Sequence, residues 1–267
     1  MKPLLMDELQ SLASDADRFS FTREFLQARI LLSLQDHGAF SNWAFSGGTA
    51  LRFLYALPRY SEDLDFSIVR PGDDPRFAKL IRGVESDLAK EAYTVETRIR
   101  ADKVVASAWI KFRGSLHEAG ISPHRDQALS VKVEIDTRPP AGAALENRRV
   151  RRFVMLNLLH YDKASLLAGK LHAVLMRKYT KGRDLFDLAW YLSDPDWPDP
   201  NLDLLNNALE QSGWPGDTVT PGNWRALVAD KLESADWKAA LSDVTPFLMR
   251  AQDVSWVSPD VILPLLR

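Results

Sequence analysis

Apolar positions set the first expectations. Leu9, Leu12, Phe19, Phe21, Phe25, Leu26, Ala28, Ile30, Leu31 and Leu34 recur at helix-like spacing and predict helix over 5–35, with a break near Ser20 or Phe21. Asp36-His37-Gly38 is a stop signal. A short apolar strand is expected at 42–45, a helix over 49–56 that ends before Pro58, and a strand over 62–69. Phe77, Leu80, Ile81, Val84 and Leu88 predict a helix over 75–91. Three strands follow at 93–100, 104–112 and 128–137, with an exposed loop at 114–127. In the last strand Leu129, Val131, Val133 and Ile135 share one face, and Lys132, Glu134 and Asp136 share the other. The sheet is expected to end at Arg138-Pro139-Pro140, leaving only a strand-like run at 153–156. From Lys163 the pattern turns helical: 163–178, 183–192, 201–212, 221–231 and 235–251. The fold class expected is therefore α+β. A mixed sheet with flanking helices fills 1–160, and an all-helical domain fills 161–267.

Composition narrows the chemistry. The chain has 267 residues and no cysteine, which removes disulfides, thiolate nucleophiles and cysteine zinc sites. Asp7 and Glu8 fall where a signal peptide needs its apolar run, and no apolar stretch approaches the ~18–20 residues of a membrane span, so a cytoplasmic protein without a membrane partner is expected. The net charge of −2 conceals an asymmetry. Residues 146–183 carry ten Lys and Arg against two Asp and Glu, and residues 184–267 carry five against fourteen. The basic middle suits phosphates or RNA, and it equally suits pairing with the acidic tail. Arg148-Arg149 and Arg151-Arg152 are the candidate RNA contacts within it. The eight tryptophans lie mostly in the C-terminal half at core-like positions and form no aromatic platform of the kind single-stranded RNA binders use. The five histidines show no metal-like spacing.

The chemistry concentrates in Phe45-Ser46-Gly47-Gly48-Thr49-Ala50-Leu51-Arg52 and the following Ser61-Glu62-Asp63-Leu64-Asp65-Phe66. Gly47 and Gly48 permit positive φ or a close backbone approach. The helix behind them offers N–H groups suited to a phosphate. Ser46 and Thr49 could bond phosphate oxygens, and Thr49 could equally cap the helix. Arg52 could reach a triphosphate or pair with Glu62 or Asp63. Asp63 and Asp65, two apart in a strand, project to one side, and such a pair is costly unless a cation joins it. Mg²⁺ suits this oxygen donor set, with Mn²⁺ as the alternative.

These two runs resemble the nucleotidyltransferase superfamily and, more narrowly, the AbiEii-type toxin nucleotidyltransferases of bacterial toxin–antitoxin systems. The resemblance implies a third carboxylate on a neighbouring strand. Val133-Glu134-Ile135 meets that pattern, Asp136 rivals it, and Glu134 also suits a salt bridge with a basic strand neighbour. The resemblance extends to 163–188, where Lys170 and Arg177 lie two turns apart ahead of Arg183-Asp184-Leu185-Phe186-Asp187-Leu188. It implies active-site roles for Lys170, on the triphosphate, and for Asp184. From position alone, Asp184 could cap its helix, hold Lys170 or Arg183, or take a proton from the acceptor, and Asp187 could be an ion-pair partner. The implied reaction moves an NMP from an NTP to an acceptor, tRNA or another small RNA, as a toxin with a cognate antitoxin, in a cleft between the two domains. Transfer to a protein or small molecule, or a non-catalytic partner-binding module, are the alternatives.

Overall fold

The computed structural model describes residues 2–12 and 14–267; Met1 and Ala13, the latter within the first helical stretch read above, lie outside the described residues. The chain divides into two compact units. The first comprises Met1–Ala56, Tyr60–Pro139 and Asn147–His160, and the second Leu57–Arg59, Pro140–Glu146 and Tyr161–Arg267.

The first unit opens with α1 (Lys2–Gln10) and α2 (Asp15–Asp36). α1 ends at Gln10 and α2 starts at Asp15, with no break at Ser20 or Phe21. Ser14 is the reason: its hydroxyl accepts the Asp17 N–H at 3.1 Å and so caps α2, which then runs unbroken past Phe21. Next come β1 (Trp43–Ser46), α3 (Gly47–Tyr55), β2 (Leu64–Ile68), α4 (Phe77–Lys90), β3 (Thr94–Arg100), β4 (Val105–Arg113), α5 (Ser115–Glu118) and β5 (Ala128–Asp136). The region 114–127 is not simply exposed, because α5 inserts Leu116, 1% exposed, beneath it.

Pro140 does not end the sheet. β6 (Leu145–Arg152) and β7 (Val154–Tyr161) extend it, giving the order β3-β4-β5-β2-β1-β7-β6. β6 escapes a search for alternation because it is a charged edge strand, with Arg148, Arg149 and Arg151 all exposed. Phe153, at φ 59, turns the chain from β6 into β7. β2 pairs parallel with β5 and antiparallel with β1, and β1 meets β7 in parallel. One face of β5, Leu129, Val131, Val133 and Ile135, is fully buried, and α2 and α4 pack on the sheet. Each such side chain contributes roughly 1.5–3 kcal/mol through removal from water. The opposite face of β5 carries Lys132, Glu134 and Asp136 and is only partly covered.

The second unit is helical: α6 (Lys163–Met176), α7 (Gly182–Leu192), α8 (Leu202–Gln211), α9 (Trp224–Glu233), α10 (Trp237–Val244) and α11 (Pro259–Leu265). The Asp162 side chain caps α6 by accepting the Ser165 N–H at 2.7 Å. The helix expected over 235–251 stops at Val244, and Pro246 lies in the 3-10 turn that follows, where its missing N–H is tolerated. Gly182 sits so close to the Ala240 carbonyl that a Cβ there would overlap it, which fixes the contact of α7 with α10. Among the described residues, no helix is long and apolar enough to cross a membrane.

Candidate active site

The sheet register assembles the first part of the site. Ser46 of β1 lies opposite Asp65 of β2, Asp65 opposite Glu134 of β5, and Glu134 opposite Ser107 of β4. Paired residues share a sheet face, so Asp65 and Glu134 project side by side away from the α2–α4 core. Asp136 is two pairs further along, opposite Ser67, and its Oδ1 accepts the Arg138 N–H at 2.8 Å. The register therefore favours Glu134 over Asp136 as the neighbour of Asp65.

Gly47 fits tightly against this row. Its φ is 74°, and a Cβ built on it would overlap Asp65 Oδ2. Glycine is thus required twice at this position, for the backbone and for the carboxylate. Two hydroxyls bind the glycine turn to the acidic segment. Thr49 Oγ1 donates to the Asp63 carbonyl, and Ser46 Oγ donates to the Asp65 carbonyl at 3.4 Å. Thr49 is fully buried, and its single proton is spent on that carbonyl. It positions Asp63 rather than donating to a phosphate, and Ser46, not Thr49, occupies the N-cap of α3. The weaker Ser46 bond leaves its hydroxyl easier to redirect. Ser46 makes no side-chain capping bond, so the N–H groups of Gly47 and Gly48 open α3 without a side-chain acceptor from the cap.

A cation of the chain's own stands at the carboxylates. Lys132 Nζ lies 2.8 Å from Glu134 Oε1. Burial alone would lower the Lys132 pKa, but the hydrogen bond and charge of Glu134, with the charges of Asp63 and Asp65, raise it above the ordinary lysine value. Glu134 thus takes the salt-bridge role open to it. Among the described residues, no three His, Cys, Asp or Glu side chains gather closely enough to hold a metal ion.

Arg52 pairs with a carboxylate not among those expected for it, Glu24. Arg52 is 5% exposed, and its Nε donates to Glu24 Oε2 at 2.6 Å. Glu24, itself 2% exposed, also accepts from Arg152 Nε at 3.0 Å. Arg52 is thereby part of a buried ion group joining α2, α3 and β6. The same group claims Arg152 from the basic run, and Arg148 lies over the Tyr55 ring at 4.8 Å. The run is partly structural.

The second unit holds a separate charged group. Asp187, 1% exposed, accepts from Arg59 Nε and from an Arg59 terminal nitrogen, each at 2.6 Å. Lys170 Nζ reaches Asp187 Oδ2 at 2.7 Å and Asp184 Oδ1 at 3.2 Å. Arg177 lies 3.2 Å from the other oxygen of Asp184. Arg177 does not share a helix face with Lys170, because α6 ends at Met176 and Arg177 is extended at ψ 139. The two cations converge on Asp184 all the same. Asp184 is in the first turn of α7, and of the roles open to it the structure shows that of holding Lys170. Burial works against the charge on both partners. Asp187 and Asp184 outweigh it and raise the Lys170 pKa, and Lys170 and Arg177 outweigh it and lower the Asp184 pKa. Arg59 was not legible as a member of this group, since its bidentate partner is 128 positions away.

The seven-stranded mixed sheet sets the glycine turn of α3 against Asp65 of β2, and Asp63 lies just ahead of that strand, outside it. The family described as "Nucleotidyl transferase AbiEii toxin, Type IV TA system" matches residues 29–258. The chain belongs to that family of nucleotidyl transferase toxins. Among solved structures it is similar to MenT4, a nucleotidyltransferase toxin from Mycobacterium tuberculosis H37Rv, at 16% identity and a TM-score of 0.59, covering 100% of this chain and 88% of that one. It is also similar to JHP933 from Helicobacter pylori, at 19% identity and a TM-score of 0.55, covering 96% and 93%. At these identities the likeness concerns the fold. No curated protein matches the chain.

Proposed function

We propose that the protein transfers a nucleoside monophosphate from an NTP to a hydroxyl of an RNA acceptor, tRNA foremost, and acts as a toxin restrained by a cognate antitoxin. The observation that carries this reading is the fit of Gly47 against Asp65. It brings a turn suited to a phosphate beside carboxylates suited to a hard cation. Family membership supports the transfer chemistry and the antitoxin partner.

In this reading the N–H groups of Gly47 and Gly48 and the Ser46 hydroxyl orient the triphosphate. Thr49 fixes Asp63 through its carbonyl. The oxygen donors of Asp63 and Asp65 fit Mg²⁺, which usually completes its shell with water and phosphate, so these two residues would hold it, with Glu134 beside Asp65. The metal would supply neutralisation of phosphate charge. The acceptor oxygen forms a bond to the α-phosphorus, the bond to the β-phosphate bridge breaks, pyrophosphate leaves and the hydroxyl proton is released. Lys170 and Asp184 are proposed to serve the same reaction, Lys170 as a charge for the triphosphate held in place by Asp184.

Incubation with NTP labelled at the α-phosphate, Mg²⁺ and total RNA tests the reading. Label entering small RNA with the wild type, and not with Asp65→Asn, supports it. Label on protein instead would favour a protein acceptor, and no label with any NTP would end the catalytic reading.

A further inference from the structure

We propose that the open sheet face beside the carboxylates, built from Trp109, Arg98, Arg100 and Lys111, seats a short single-stranded RNA segment carrying the acceptor hydroxyl; this rests on the RNA-acceptor reading above. The sheet register makes the case. Trp109 of β4 lies opposite Lys132 of β5 and, on its other side, opposite Arg98 of β3. Arg100 lies opposite Ser107, which lies opposite Glu134, which lies opposite Asp65. All these side chains therefore share the face that carries the acidic row. Three strand spacings separate Asp65 from Arg100, a span of about 14 Å.

The face is unlike its reverse side. Ala106, Ala108, Ile110 and Phe112 of β4 are buried, whereas Trp109 is 42% exposed between them. Such a ring amid polar neighbours offers a base a flat apolar partner, and exposed sheet aromatics stack bases in this way. Lys132 Nζ stands 5.7 Å from the ring centroid, so the ring links the acidic row to the basic edge. Arg98 and Arg100 are exposed, and Lys111 is half-buried. The acidic Glu96 on the same face is neutralised by Arg113 at 2.6 Å. Stacking ring and guanidinium charges together match a single strand. A duplex hides its bases, and an acidic peptide would use the charges without the ring.

Fluorescence anisotropy with a labelled single-stranded oligoribonucleotide, without NTP, tests this. The wild type should bind the single strand more tightly than a duplex of the same sequence. Trp109→Ala should weaken binding roughly 10-fold, and Trp109→Phe should retain most of it. Arg98→Ala with Arg100→Ala should flatten the log-log salt slope by about 1.4. Unchanged melting temperatures would show that the exposed positions were not needed for folding. Equal binding by Trp109→Ala and wild type, or a duplex preference, overturns the proposal. So does a loss of NTP affinity with RNA affinity intact, which would give the ring to the nucleotide base. If RNA does not bind while α-label still reaches another acceptor, this proposal fails and the transferase reading stands. If RNA binds through Trp109 and no label moves, the reverse holds.

Discussion

Gly47 and Asp65 are fitted to each other: the place a Cβ would take on Gly47 is filled by Asp65 Oδ2. Residues eighteen positions apart thus form one object, because β1 and β2 pair antiparallel with Ser46 opposite Asp65. Gly47→Ala should therefore act on two levels. A non-glycine residue at positive φ costs about 1–2 kcal/mol, and the methyl must also displace the carboxylate. Nucleotide transfer should fall well beyond what the lost stability explains. Comparing melting temperature with turnover checks this, and an active Gly47→Ala enzyme would contradict the fit.

Thr49 offers a finer probe. Thr49→Val keeps the shape and removes the donor to the buried Asp63 carbonyl, which should cost about 1–3 kcal/mol. Thr49→Ser keeps the donor and should recover most of the stability. If the hydroxyl served only phosphate, Thr49→Val would bind NTP poorly and unfold normally in urea.

Asp187 is expected to be structural. Asp187→Ala leaves Arg59 and Lys170 without their shared carboxylate in a buried setting, a loss of about 3–5 kcal/mol. Replacing both Arg59 and Asp187 by apolar residues of similar size should recover part of that loss. Urea denaturation of the single and double variants measures it.

Asp184 and Lys170 predict opposite ends of a stability–pH profile. The Asp184 pKa is lowered in the folded protein, so its contribution is present above the unfolded value of about 4 and is lost as pH falls through the folded one. The Lys170 pKa is raised, so its contribution is present below about 10.4 and is lost as pH rises through the folded value. Asp184→Asn should be less stable at neutral pH and lose less on acidification. Denaturation midpoints across the pH range would show this, and an unchanged acid limb would count against the buried pair.

What the sequence made legible was local. The glycine turn, the strand around Asp65 and the alternation of β5 are short-range patterns, although β2 starts at Leu64 and leaves Asp63 just outside it, and the register of Asp65 with Glu134 follows once β2 and β5 pair. Long-range ion groups were not legible. Glu24 sits in an amphipathic helix and gives no sign that it will hold Arg52 and Arg152, and Arg59 gives none that it will meet Asp187. β6 was hidden because an exposed edge strand needs no apolar alternation. The exposure of Trp109 was not legible either, since it depends on which sheet face the helices cover.

The most direct test follows the label through the reaction. NTP labelled at the α-phosphate should leave its label covalently on the acceptor, whereas label at the γ-phosphate should leave with pyrophosphate. Asp63→Asn and Asp65→Asn should each abolish transfer while keeping a cooperative melt. Acceptor labelled from the γ-phosphate, or undiminished α-label with Asp65→Asn, would contradict the account.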